Sequence, residues 1–265
     1  MTRENRARLA LGVLLGLTLV RIPLAMMLER LLPDASVAPE VFYMAAAVQS
    51  VMMFALPGWL LMPSWRTEEE KRIPWVSWAV CLLAAVLTRT VATPLNAWWM
   101  QTLGAASAML PEPAGVGGRL LMVLAVVVIP AAAEELFFRG ALLTNLLQVA
   151  SRTQALVLTT LMFALMHGSL AGLLGHLLIS LVLTLLMLHT GRMTVPVMAH
   201  LAFNLMALVG MEVGAVPAWL CGLLLAALVI ALLLTLPRGR ERRLPAGEGL
   251  LCAAILAAMA LPYLM

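Results

Sequence analysis

Two adjacent glutamates, Glu134 and Glu135, close an apolar run that begins near Leu120, and an arginine follows four residues after the second, in AAAEELFFRGALL. Carboxylates in hydrocarbon cost several kcal/mol each, so an ionisable cluster inside a membrane segment points to function. Residues four apart share a helix face, which sets Glu135 against Arg139 as an ion pair in the favourable order, acid before base. Glu134 is turned about 100° away and has no such partner. The spacing thus separates a charge-compensated glutamate from one free to do chemistry. The plainer alternative is a helix-end pair anchoring a span at the interface. It fits less well, because the apolar run continues past Arg139 through Gly140, Ala141, Leu142 and Leu143.

Two further stretches carry polar groups. His167 stands four residues after Phe163 in LTTLMFALMHGSL, and His200 four before Asn204 in TVPVMAHLAFNLM, so each pair shares a helix face. Taken singly they are ordinary: a lone histidine in an apolar helix is usually a packing residue, and His-x-x-x-Asn usually makes interhelical hydrogen bonds. Taken together, a carboxylate, two imidazoles and an amide have a definite chemistry. The glutamate, with or without a histidine partner, can take a proton from water and make it nucleophilic toward a carbonyl. Histidine and asparagine donors can stabilise the oxyanion that forms. That is the equipment of peptide hydrolysis.

The elements that must position these groups follow from composition. The chain has 265 residues, 63% hydrophobic and 11% charged, with a mean hydropathy of +1.01, far from the norm for soluble domains. It is expected to be an all-α, polytopic transmembrane helical bundle. Segments able to cross a ~30 Å hydrocarbon core lie at about 9–28, 41–63, 74–93, 120–146, 154–170, 172–189, 193–211, 216–236 and 248–264, giving nine spans, or eight if a weak one fails to cross. The first carries a basic leader (Arg3, Arg6, Arg8) but no small-residue cleavage motif, and reads as a retained helix.

Lysine and arginine accumulate on the cytoplasmic side of short loops. With the N-terminus inside, the inner loops hold Arg3, Arg6, Arg8, Arg66, Lys71, Arg72, Arg152, Arg192, Arg238, Arg240, Arg242 and Arg243, and the outer loops only Arg30 and Arg119. Glu29, Asp34, Glu40, Glu112 and Glu212 fall on the outer side. The pI near 9.5 comes from these loops and implies no nucleic-acid partner, since no basic stripe interleaved with aromatics appears. Cys81, Cys221 and Cys252 lie in spans without CxxC spacing, as small apolar residues would. At 1.5 Å per residue, Glu134 and His167 come to roughly 20 Å from the inner helix ends, and His200 and Asn204 to roughly 12 and 18 Å. All four can therefore meet inside the bilayer, in a cavity nearer the cytoplasmic face.

EELFFRG at 134–140, FALMH at 163–167 and HLAFN at 200–204 resemble the EExxxR, FxxxH and HxxxN motifs of the CAAX prenyl protease and bacteriocin-processing (CPBP, or Abi) family of intramembrane endopeptidases. Thr190, Gly191 and Pro196 resemble that family's approach to the last motif. The resemblance covers roughly 119–210 of a single membrane domain, leaving a front part of three spans (1–118) and two C-terminal spans (211–265). It implies a glutamic-type protease in which Glu134 and His167 activate water, His200 and Asn204 support the oxyanion, and Glu135 and Arg139 hold the site or contact substrate backbone, with Phe163 in a supporting place. No cofactor is favoured. Were zinc involved, Glu134, His167 and His200 would be its ligands. The substrate would be a membrane-associated peptide or protein, and the setting a bacterial inner membrane with the site open to the cytoplasm. Two other classes stay open: a non-catalytic member that sequesters membrane proteins or confers peptide immunity, and a proton-coupled transporter using Glu134 as carrier. The remaining polar residues are read as bland: His176 as packing or gating, His189 as interfacial, Arg21 and Arg89 as snorkelling or helix-paired, and Trp98 and Trp99 as an outer belt.

Overall fold

The computed structural model describes residues 2–31, 38–63, 74–104, 110–210, 217–236 and 243–261. Among these the chain is helical, with nine continuous helices: α1 (Arg3–Leu31), α2 (Pro39–Leu61), α3 (Trp75–Leu103), α4 (Gly115–Leu146), α5 (Arg152–Met166), α6 (Leu173–Thr190), α7 (Thr194–Leu208), α8 (Ala218–Leu234) and α9 (Ala246–Ala260). Each falls on one of the nine apolar segments, and the all-helical expectation holds. By length and composition α2, α3, α4 and α6 can cross a membrane, while α5, α7, α8 and α9 are apolar but shorter. The basic residues Arg66, Lys71, Arg72, Arg238, Arg240 and Arg242, and the acidic Asp34 and Glu212, lie outside the described residues.

Two boundaries differ from the hydropathy reading, each for a local reason. Helix α3 does not stop near 93 but continues through Pro94 to Leu103, where Gly104 at φ 63° ends it. Packing of α3 against α6, α7 and α8 overrides the helix-breaking tendency of a proline. Helix α5 ends at Met166, so His167 caps the helix instead of lying inside it, and Gly168 follows at φ 65°. At 15 residues, α5 reaches only about 22 Å, short of a ~30 Å hydrocarbon core.

Wider π-helical turns interrupt α2 at Val51–Ala55 and α4 at Leu124–Val128 and Leu136–Leu143. The first two precede Pro57 and Pro130, whose missing N–H such turns accommodate. The third has no proline; it follows Glu135 directly and contains Arg139.

Helix α4 is central, touching α1, α2, α5 and α7, while α9 packs on α1 and α5. The front helices are tied in by specific polar contacts. Tyr43 Oη donates to the Pro111 carbonyl at 2.6 Å and Glu40 accepts from the Ala114 N–H at 3.0 Å, which docks the Pro/Gly-rich segment 111–118 on the start of α2. Arg8 pairs at 2.8 Å with the buried Glu248, joining α1 to α9. Cys81, Cys221 and Cys252 are all buried and free, and the Cys81 thiol lies 3.3 Å from the Val195 carbonyl of α7.

The tightest approach is at Gly58 of α2, where a Cβ would stand 2.8 Å from the Phe137 backbone nitrogen in the third π-helical stretch. Backbone cannot yield as a side-chain tip can. Gly58→Ala is therefore expected to destabilise the protein by about 1–3 kcal/mol, read as a lower thermal midpoint in detergent; an unchanged midpoint would refute this packing.

Candidate active site

The site is built on α4. Glu135 and Arg139 are both fully buried and pair at 2.7 Å across one helical turn. A buried guanidinium needs more than one acceptor, and α6 supplies the rest. Arg139 Nη2 donates to the Ser180 carbonyl at 3.0 Å and hydroxyl at 2.8 Å, and approaches Thr184 Oγ1 at 3.4 Å. The guanidinium also lies over the Phe163 ring, 4.5 Å from its centroid. In the wide turns after Glu135, the Thr144 hydroxyl donates to the Arg139 carbonyl five residues back at 2.9 Å. The same oxygen is shared: Glu135 Oε1, which takes the Arg139 hydrogen bond, also accepts from His200 Nδ1 at 2.9 Å.

Glu134 faces the other way, toward the two imidazoles. Its Oε2 lies 3.6 Å from His167 Nε2 and 3.9 Å from His200 Nε2. That oxygen is buried and has no hydrogen-bond partner among the described residues. Both distances exceed a direct hydrogen bond, so the three atoms surround a point without closing on each other. The imidazole tautomers follow from their outer contacts. His167 Nδ1 sits 2.9 Å from the Phe163 carbonyl, which can only accept, so Nδ1 carries the proton and neutral His167 turns the Nε2 lone pair toward Glu134. His200 Nδ1 donates to Glu135, so His200 Nε2 donates only in the imidazolium form. Side-chain exposure falls from 25% at His167 to 11% at Glu134, 5% at His200 and zero at Glu135 and Arg139, so the centre opens at His167 and is sealed at Arg139.

His167 owes its place to a turn, residues 167–172, that joins α5 to α6. Backbone groups outside the helical ladder need partners when they are buried, and here three side chains from the front helices supply them at and beside the turn. Arg21 of α1 donates to the Met166 carbonyl, closing the C-terminal end of α5 with a cation. Trp99 Nε1 of α3 donates to the Leu170 carbonyl at 2.9 Å, and Asn96 Oδ1 accepts from the Gly175 N–H at 2.9 Å. Trp99, read as part of an outer interfacial belt, thus also ties α3 to this turn through its indole N–H. Arg21 proves helix-paired, Arg89 lies 5.8 Å from the Phe203 centroid, and His189 bridges to Thr235 of α8 at 3.2 Å. Sequence spacing missed Arg21, Asn96 and Trp99 as parts of the site because each reaches 71 or more positions along the chain. The visible signal was an arginine within an apolar span.

Asn204 stands one turn after His200, half-buried, and hydrogen-bonds to none of the described residues, so its amide is uncommitted. A zinc ion would need its nitrogen and oxygen donors about 2.0–2.2 Å from one point. No three His, Cys, Asp or Glu side chains among the described residues are arranged to hold a metal ion. Glu134, His167 and His200 are not grouped as a metal site among the described residues, and no step below runs through a metal.

Membrane-length helices around a buried carboxylate with two imidazoles define the class: an integral membrane protein with a polar centre inside its bundle. Residues 116–206, which carry all three motifs, match the family model of Rce1-like type II CAAX prenyl endopeptidases. The resemblance read from the motifs holds over that stretch, and the matched family is one of proteases. No curated protein and no solved structure matches the chain.

Proposed function

We propose that this chain is an intramembrane endopeptidase that hydrolyses a peptide bond of a membrane-associated protein or peptide, without a metal. One observation carries this reading: Glu134 Oε2 is buried, has no hydrogen-bond partner among the described residues and stands 3.6 Å from a histidine nitrogen that presents a lone pair. Two acceptors so placed can each take one hydrogen of a single water, leaving an oxygen lone pair for the substrate carbonyl carbon. As the C–O bond forms, the water proton passes to Glu134. Collapse of the tetrahedral intermediate breaks the C–N bond, and Glu134 returns that proton to the leaving amine. The oxyanion is met by the uncommitted Asn204 amide and by His200 Nε2–H in its imidazolium form, whose charge Glu135 offsets through the Nδ1 hydrogen bond while Glu134 holds the water proton. Glu135 and Arg139 hold the frame.

The chain is further proposed to cross a bacterial inner membrane eight or nine times with its N-terminus in the cytoplasm, as the distribution of basic loop residues favours. Similarity to CAAX prenyl endopeptidases suggests prenylated C-terminal tails as one substrate class. The test uses purified protein in proteoliposomes with a farnesylated CaaX peptide, alongside terminus mapping of membrane proteins from cells producing wild type, Glu134→Ala or His167→Ala. Cleavage present in wild type and absent in both variants supports the reading. Retained function in both would sink it in favour of sequestration, and proton-coupled flux in the same vesicles in favour of transport. Activity is expected to survive treatment with a chelator; activity restored only by added zinc would overturn the metal-free mechanism.

A further inference from the structure

His176 belongs to none of the three motifs, and the mechanism above has no use for it, yet it is the nearest ring to His167. The two imidazoles stack with centroids 3.8 Å apart and planes 23° from parallel. A second ring, Phe163, stands 4.7 Å from the His167 centroid at 50°, and its carbonyl holds Nδ1. A histidine at a helix end, with a quarter of its side chain exposed, would otherwise turn freely about its ring torsion. The stack and the Nδ1 hydrogen bond together leave one ring plane, the one that aims Nε2 at Glu134.

Room for the stack is made by Gly172. A Cβ there would lie 2.6 Å from His176 Cε1 and 3.0 Å from its Nδ1, although the glycine has φ −93°, which any residue can adopt. What the position requires is clearance, not backbone freedom. His176 Nδ1 is itself buried with no hydrogen-bond partner among the described residues. A polar atom left in that condition is costly, so hydrogen bonding does not explain why a ring stands there, whereas the stack does.

We infer that His176 is a positioning residue for His167, its ring face fixing the plane of the water-orienting imidazole, with Gly172 as the gap that admits it. This rests on the peptidase reading and deepens it. The test compares His176→Phe, which keeps a flat ring, with His176→Leu, which keeps bulk alone, using a peptide whose cleavage requires Glu134. The Leu variant is expected to lose about 10- to 100-fold in kcat with little change in KM, as a misdirected catalytic group does, while the Phe variant stays within roughly threefold of wild type. Wild-type kcat in the Leu variant would overturn the inference, as would a Phe variant as slow as Leu at equal thermal midpoint. Should His176→Leu not accumulate as folded protein, Gly172→Ala carries the same test, with the same loss expected. A readout independent of proteolysis separates the two claims: the His167 Hε1 resonance should be shifted upfield by the stacked ring in wild type and His176→Phe, and not in His176→Leu. If no cleavage depends on Glu134 the peptidase reading falls, while the resonance still decides the stack.

Discussion

Glu134→Gln is expected to lower the rate of peptide cleavage by about 10²- to 10⁴-fold, the usual contribution of a general base, and to leave the folded protein intact or more stable. The amide has the shape of the carboxyl but cannot take the proton of water. On the stability side, Glu134 Oε2 has no hydrogen-bond partner among the described residues, so the wild-type side chain buries an acceptor at a cost. A neutral replacement still buries polar atoms but no longer a charge, which lowers that cost, the trade expected of a site kept for activity. The check is a rate measurement in proteoliposomes paired with thermal unfolding of the same preparations. Lost activity with a clearly lower midpoint would mean that Glu134 is structural. Retained activity would remove it from the mechanism.

The neighbouring pair should behave in the opposite sense. Arg139→Leu strips Glu135 of its 2.7 Å partner and leaves Ser180 and Thr184 of α6 without the guanidinium they meet. Breaking a buried ion pair from one side costs about 3–5 kcal/mol, because the remaining charge stays buried and uncompensated. Arg139→Leu is therefore expected to accumulate poorly or unfold at a much lower temperature. The double variant Glu135→Gln/Arg139→Leu should recover part of that loss, since no charge is left behind. A single variant as stable as wild type would contradict the pairing. Thus two adjacent glutamates should separate cleanly, one by rate and the other by stability.

What could be read from the sequence divides along the same physical line. The nine apolar segments and the Glu135–Arg139 pair were legible because hydropathy and i,i+4 spacing are local. The meeting of Glu134 with His167 and His200 was reachable from depth alone, since helices of known rise set the level of each group. Other features were hidden. The end of α5 at Met166 depends on one glycine at positive φ and on Arg21 arriving from α1, neither of which alters hydropathy. The π-helical turns after Glu135 leave no mark in an apolar run. The hydrogen bond between His200 and Glu135 spans 65 positions, and the stack of His176 on His167 forms across a turn that hydropathy had placed at a span boundary.

That turn has a consequence for transplanting the site. The stretch that matches the peptidase family starts at residue 116, whereas Arg21, Asn96 and Trp99, which close the open carbonyls and N–H of the 165–175 backbone, all precede it. The three motifs are therefore not a portable cassette. A chimera that kept them but took its first helices from another protein would inherit every proton-handling residue and lose the fasteners of the loop that bears His167. Its failure would say nothing about the chemistry, and grafting those three side chains back should be the step that restores it.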